Sequence, residues 1–133
     1  MPLDTGRPDL AMTVPLDRYA PRSARQCIAQ VDNPSPDLRD AVVLLCSELV
    51  THAVQHAPGE SAEMRVWMPE DIVRVELLCA PEATTWDSPE RFDYALMLLD
   101  SLADRWERED CGARTRVWFE IDRHRDRAKV SSY

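Results

Sequence analysis

Apolar residues along the chain fall first into two stretches of helical spacing, then into strand-like alternation. Ala24, Cys27, Ile28 and Val31 recur at intervals of three and four, which predicts a helix entered at Pro21, a residue suited to a first turn. The turn-rich DNPSPD, residues 32–37, ends it and offers Ser35 or Asp37 as a cap for the next helix. From Leu38 to Ala57, the positions Leu38, Val42, Val43, Leu45, Cys46, Leu49, Val50, Ala53 and Val54 cover most of a helical circumference. A helix apolar on so many sides has to be enclosed, so it is expected to be the central helix. PGES, from Pro58, stops it.

The period then changes to two. In AEMRVWMP, Met64, Val66 and Met68 alternate with Arg65 and Trp67; in DIVRVELLCA, Val73 and Val75 alternate with Arg74 and Glu76. The short PED between them reads as a hairpin turn. APEATTWDSPERFD, residues 80–93, has no period and reads as a loop. Helical spacing returns over YALMLLDSLADRWE, residues 94–107, and ARTRVWFEID reads as a last strand, with Val117 and Phe119 opposite Trp118 and Glu120. Near the start, Met12–Leu16 forms a short apolar run that Pro15 confines to a sheet edge. Helices followed by a hairpin, without regular β–α alternation, predict an α+β fold: a two-layer sandwich of helices on a mostly antiparallel sheet. Residues 1–10 are expected to be a flexible tail, 11–122 a single domain, and 123–133 a polar, largely basic tail.

Composition narrows the classes of function. The 133 residues are 44% hydrophobic and 30% charged, ordinary for a globular domain large enough to bury a core. No apolar run approaches the ~20 residues of a membrane span. The N-terminus lacks the basic start and apolar centre of a signal peptide, so a cytoplasmic location is expected. A net charge of −8 argues against direct nucleic-acid binding and favours a protein partner. Four cysteines, Cys27, Cys46, Cys79 and Cys111, stand singly without a CxxC pair; Cys27 and Cys46 lie among apolar helical positions and are expected in the core.

The polar residues of the central helix are the candidate chemistry. Glu48, His52 and His56 stand four apart, on one face of the helix. That row suits a metal site (Glu48, His52, His56), general-base chemistry, or the remains of a lapsed site.

Three segments together decide among these by resemblance. SELVTHAVQHA at 47–57, RVELLCAPEA at 74–83, and LMLLDSLADRWE at 96–107 followed by GARTRVWFEI at 112–121 resemble the anti-sigma serine kinases of the GHKL ATPase superfamily. The likeness is to the short, stand-alone regulators of actinomycetes and spans about residues 10–122. It implies a Bergerat-type ATPase fold and a site of four elements. A helix supplies a glutamate as base and, four residues on, an asparagine for magnesium; Glu48 is present, but His52 holds the asparagine position. Imidazole is a poor ligand for that hard ion, which wants oxygen donors. An aspartate that receives the adenine amino group is replaced by Cys79, a weak hydrogen-bonding partner. Two phosphate-cradling glycines are replaced by Asp93 and Ala95, the former placing negative charge against polyphosphate, beyond what Arg91 alone would reverse. A glycine before the last strand is retained as Gly112.

Three of four elements are thus replaced in independent ways, and the resemblance implies a scaffold without nucleotide turnover. No cofactor is expected; ATP and magnesium would bind only if this pseudo-kinase reading fails. The implied partner is a sigma factor or an anti-sigma antagonist, with a homodimer as a further expectation because relatives pair through sheet edges and N-terminal segments. His56 matches a histidine of the family where no transition metal is involved, so the Glu48 row reads as a relic. Two alternatives stay open: a divergent ATP-dependent serine kinase using Glu48 as base, and a small-molecule sensor reusing the vacated pocket. Trp106 and Trp118 match family core positions, whereas Trp86, in the loop, would plug that pocket or face a partner.

Overall fold

The computed structural model describes residues 6–29, 36–56, 60–80 and 94–123. Its alternating segments become strands of one sheet: β1 (Leu10–Pro15), β2 (Ser61–Trp67), β3 (Ile72–Cys79), β4 (Arg105–Cys111) and β5 (Arg114–Asp122). They lie in the order β1-β2-β3-β5-β4, and every neighbouring pair is antiparallel. β1 is an edge, and Pro15, paired with Ser61, is its last residue, a position where a missing donor is tolerated.

Among the described residues, three helices accompany the sheet: α1 (Ala20–Ala29), α2 (Pro36–His56) and α3 (Tyr94–Leu102). α2 packs against both α1 and α3 and against β3, so it is the middle of the helical layer. Its buried residues Leu38, Val42, Leu45, Cys46, Leu49, Val50 and Ala53 join one core with alternate residues of the sheet: Val14, Met64, Val66, Val73, Val75, Leu77, Val117, Phe119 and Ile121. β1, β2, β3 and β5 thus each give one side to the helices, as a period of two requires. Cys27 and Cys46 are both in this core, where the apolar spacing put them.

The C-terminal half differs from the expectation in one element. Helical spacing predicts a helix over residues 94–107, but α3 closes at Leu102, with the Ala103 amide donating to the Leu99 carbonyl at 3.1 Å. One residue later the Asp104 amide donates to the Glu120 carbonyl at 2.9 Å, already a sheet contact. Arg105–Cys111 is therefore a strand, paired along its whole length with β5. Its sequence, RWEREDC, carries the charges that protect an exposed edge from pairing with another chain.

Trp118 is a second correction. It lies half-buried on the face of the sheet turned away from the helices, opposite Glu76 and Glu107, and does not enter the core. Trp106 is half-buried against the core's margin, and its indole Nε1 donates to Asp100 Oδ1 at 2.8 Å. Trp86 lies outside the described residues.

The ends of the domain meet at the β2–β3 hairpin. The Asp9 amide donates to the Val66 carbonyl, and the Met68 amide donates to Asp9 Oδ2 at 2.6 Å. From the other end, Arg123 Nη1 donates to the carbonyls of Met68 and Pro69 at 3.2 and 2.7 Å. Residues 6–9, assigned by composition to a loose tail, are tied to the sheet by these contacts.

Candidate functional site

The helix α2 and the central strand β3 position the residues singled out by sequence. α2 passes into β2 through residues 57–60, so its last turn lies at the end of the sheet where β2 begins. β2 and β3 are antiparallel, with Glu63 opposite Leu78, and β3 pairs with β5 through Cys79 and Thr115. The C-terminal end of α2, the end of β3, the start of β5 and the β4–β5 turn therefore share one end of the sandwich.

Within that arrangement the side chains are mostly inaccessible. His52 is only 3% exposed, one helical turn after the half-buried Glu48. Nearby hydroxyls are spent on the helix itself: Ser47 Oγ donates to the Leu44 carbonyl at 3.0 Å and Thr51 Oγ1 to the Ser47 carbonyl at 2.7 Å. The side chain of His56 lies outside the described residues.

Cys79 is 1% exposed, in the core, and paired with Thr115, which is itself 2% exposed. Burial pushes its thiol up to about 12, against the smaller opposing pull of Arg114. At neutral pH it is an uncharged, poorly donating group. Arg114 reaches towards the same corner, with Nη2 at 3.3 Å from Glu63 Oε1 and 3.5 Å from the Leu78 carbonyl.

Ala95 is in the first turn of α3 and is 1% exposed, a core side chain. Asp93 and Arg91 lie outside the described residues. Gly112 occupies the turn between β4 and β5 with φ of 73°, and no atom lies within 4 Å of where its Cβ would stand. Its conformation answers a need of the hairpin, since a residue with a Cβ is strained at positive φ. Among the described residues, no group of three or more His, Cys, Asp and Glu side chains is close enough to hold a metal ion.

Compared with models of known families and with curated proteins, the sequence matches none.

Sequence reasoning missed a concentration of charge among the described residues. On the sheet face away from the helices, Arg74 Nη1 donates to Glu120 Oε2 at 2.8 Å and Nη2 to Glu76 Oε2 at 2.9 Å. Arg105 Nε donates to Glu120 Oε1 at 2.8 Å, and Arg105 Nη2 to Asp122 Oδ1 at 2.5 Å. Arg74, Glu76 and Glu120 are 9%, 3% and 6% exposed. The alternation of Arg74 and Glu76 with Val73 and Val75 assigns them one face. Their mutual burial follows from the pairing of β3 with β5, which puts Arg74 opposite Glu120.

Proposed function

We propose that the protein is a non-catalytic regulator with a GHKL-type scaffold, resembling an anti-sigma factor, which acts by binding a sigma factor or an anti-sigma antagonist in transcriptional control. In this reading it works in the cytoplasm and needs neither ATP nor magnesium.

The observation that carries the reading is the state of Cys79. The position that would accept the adenine amino group has an enclosed thiol, held neutral by burial. A carboxylate there would make a charge-assisted contact; losing such a contact costs about 1.5–3 kcal/mol of binding, roughly tenfold to a hundredfold in affinity. His52 adds to this, since its imidazole stands where an oxygen donor is required and is 3% exposed. Glu48 keeps the family's base and Gly112 its last glycine, but a base without a held phosphate has nothing to act on.

Affinity capture from the native host, with and without added ATP and magnesium, tests the proposal. Recovery of a sigma factor or its antagonist in equal yield under both conditions is the expected result. Partner phosphorylation that disappears in Glu48→Ala would establish the kinase alternative instead.

A further inference from the structure

The two edges of the sheet are built differently. β4 carries five charged residues among seven, whereas β1, LAMTVP, carries none. Among the described residues no strand pairs with the outer side of β1. The register of β1 on β2 continues to Leu16, whose amide donates to the Glu60 carbonyl at 2.8 Å. Alternation in an antiparallel ladder then turns the backbone groups of Met12 and Val14 to β2 and those of Ala11 and Thr13 outward. Ala11 and Thr13 are both exposed. Pro15, the next outward position, has no donor and closes that end.

α1 packs on β1 as well as on α2, so it forms the margin of the helical layer beside this open edge. From Arg18 to Ala29 the chain has three arginines and no acidic residue, although its net charge is −8. Arg22 and Arg25, one turn apart on α1, are exposed. Arg18 is exposed in the turn that leads from β1 into α1. Its guanidinium carbon lies 4.9 Å from the centroid of the Tyr19 ring, and its Nη2 donates to the Tyr19 hydroxyl at 2.8 Å. Tyr19 itself is 54% exposed. The acidic residues that flank β1 are engaged by backbone amides: Asp17 Oδ1 accepts from Tyr19, and Asp9 Oδ2 from Met68.

We propose that the free edge of β1, with α1 beside it, is a docking site for an acidic extended segment of a partner protein. The segment adds as a further strand and sets its carboxylates against Arg18, Arg22 and Arg25. An uncharged edge permits the main-chain pairing that the charges on β4 oppose. The arginines choose the occupant. A second copy of this chain, paired through β1 about a two-fold axis, would bring α1 beside its own image and set like charges face to face. An acidic strand meets complementary charge instead, and Tyr19 and Arg18 are of the residue types that anchor interfaces. The inference stands on β1 and α1 alone and does not depend on the state of the nucleotide positions.

Amide NMR of the full chain, titrated with an alternating Glu–Val heptapeptide and with its Lys–Val counterpart, tests it. The Glu–Val peptide should shift the Ala11 and Thr13 resonances saturably and slow their amide exchange severalfold, while the Lys–Val peptide leaves them in place. Thr13→Pro removes an outward donor and no bond to β2, so it should keep the spectrum of the fold and abolish the effect at Ala11. Arg22→Glu combined with Arg25→Glu, both at exposed positions, should weaken the Glu–Val peptide severalfold. The proposal is overturned by unmoved Ala11 and Thr13 resonances, by shifts confined to α1, or by equal binding of the two peptides. Shifts at β1 that depend on protein concentration without any peptide would overturn it too, because a second copy would then be the occupant.

Discussion

The guanidinium carbon of Arg74 lies 4.3 Å from the centroid of the Trp118 ring, so the ring forms the floor of a site whose walls are Glu76 and Glu120. Two carboxylates with little access to water share Arg74, with Arg105 as a second partner of Glu120, and the ring adds its quadrupole to the attraction. β3 and β5 are joined by this cluster as well as by their backbone ladder.

Removing the arginine should therefore cost much more than a surface charge would. Arg74→Met leaves two buried carboxylates without their shared partner and is expected to destabilise the fold by about 3–5 kcal/mol. The triple variant Arg74→Met, Glu76→Gln, Glu120→Gln should recover most of that loss, because the stranded charges are gone. Urea denaturation of the wild type, the single variant and the triple variant checks both statements.

How much of this was legible in the sequence depends on the range of the interactions. α2 could be read because its apolar positions are local and dense; the hairpin from β2 to β3 could be read because alternation on both sides of Pro69–Asp71 leaves no other pairing so short. The end of α3 could not. Between Leu102 and Arg105 no glycine or proline marks a stop, and Trp106 continues the helical spacing. Pairing with β5 overrides it, and that contact is invisible along the chain. The Arg74 cluster fails to show for the same reason: alternation identifies the face, but only strand order tells that Glu120 will stand opposite Arg74. At the candidate site, residue type was informative about chemistry, while the enclosure of His52 and Cys79 depends on the packing of α2 on β3.

The cysteines should separate cleanly by reactivity. Cys111 is exposed, whereas Cys27, Cys46 and Cys79 are buried. Burial raises the pKa of all three enclosed thiols, so the thiolate that reacts is scarce there. Titration of the native protein at mild alkaline pH with a chromogenic disulfide should show one fast thiol, lost in Cys111→Ser, and three slow ones that become fast in denaturant.

Cys79 should also shape the alkaline limit of stability. Its folded pKa of about 12 lies above the ordinary 9.0, so the protonated form is favoured by folding. The contribution is fully present below pH 9 and is lost progressively as pH rises towards the folded value. Cys79→Ala should therefore be less stable than the wild type near neutrality but lose less stability between neutral and strongly alkaline pH. Chemical denaturation across that range measures the difference in slope.

On the acid side the sign reverses. Glu63 has its pKa lowered, chiefly by the hydrogen bond from Arg65 Nε at 2.8 Å, with Arg114 assisting. A depressed carboxylate contributes stability above its unfolded pKa and loses it as pH falls through the folded one. Glu63→Gln should accordingly flatten the stability profile below pH 4.5, the ordinary value for this group. The pair is partly solvated, so the effect should stay within about 1 kcal/mol.

Gly112 offers a test of turn geometry separate from ligand binding. With open space around the position, Gly112→Ala meets no clash and pays only for positive φ, about 1 kcal/mol; Gly112→Asn should cost less, since asparagine tolerates that region. Thermal denaturation of the two variants ranks them.

The central claim of the proposal is that the end of the sandwich holding His52 and Cys79 binds no nucleotide, and thermal denaturation in millimolar ATP with magnesium measures it directly. A ligand that binds the folded state raises its melting temperature by mass action. The account predicts an unchanged melting temperature, in the wild type and in Glu48→Ala alike. Stabilisation by several degrees in the wild type that vanishes in Glu48→Ala would contradict it.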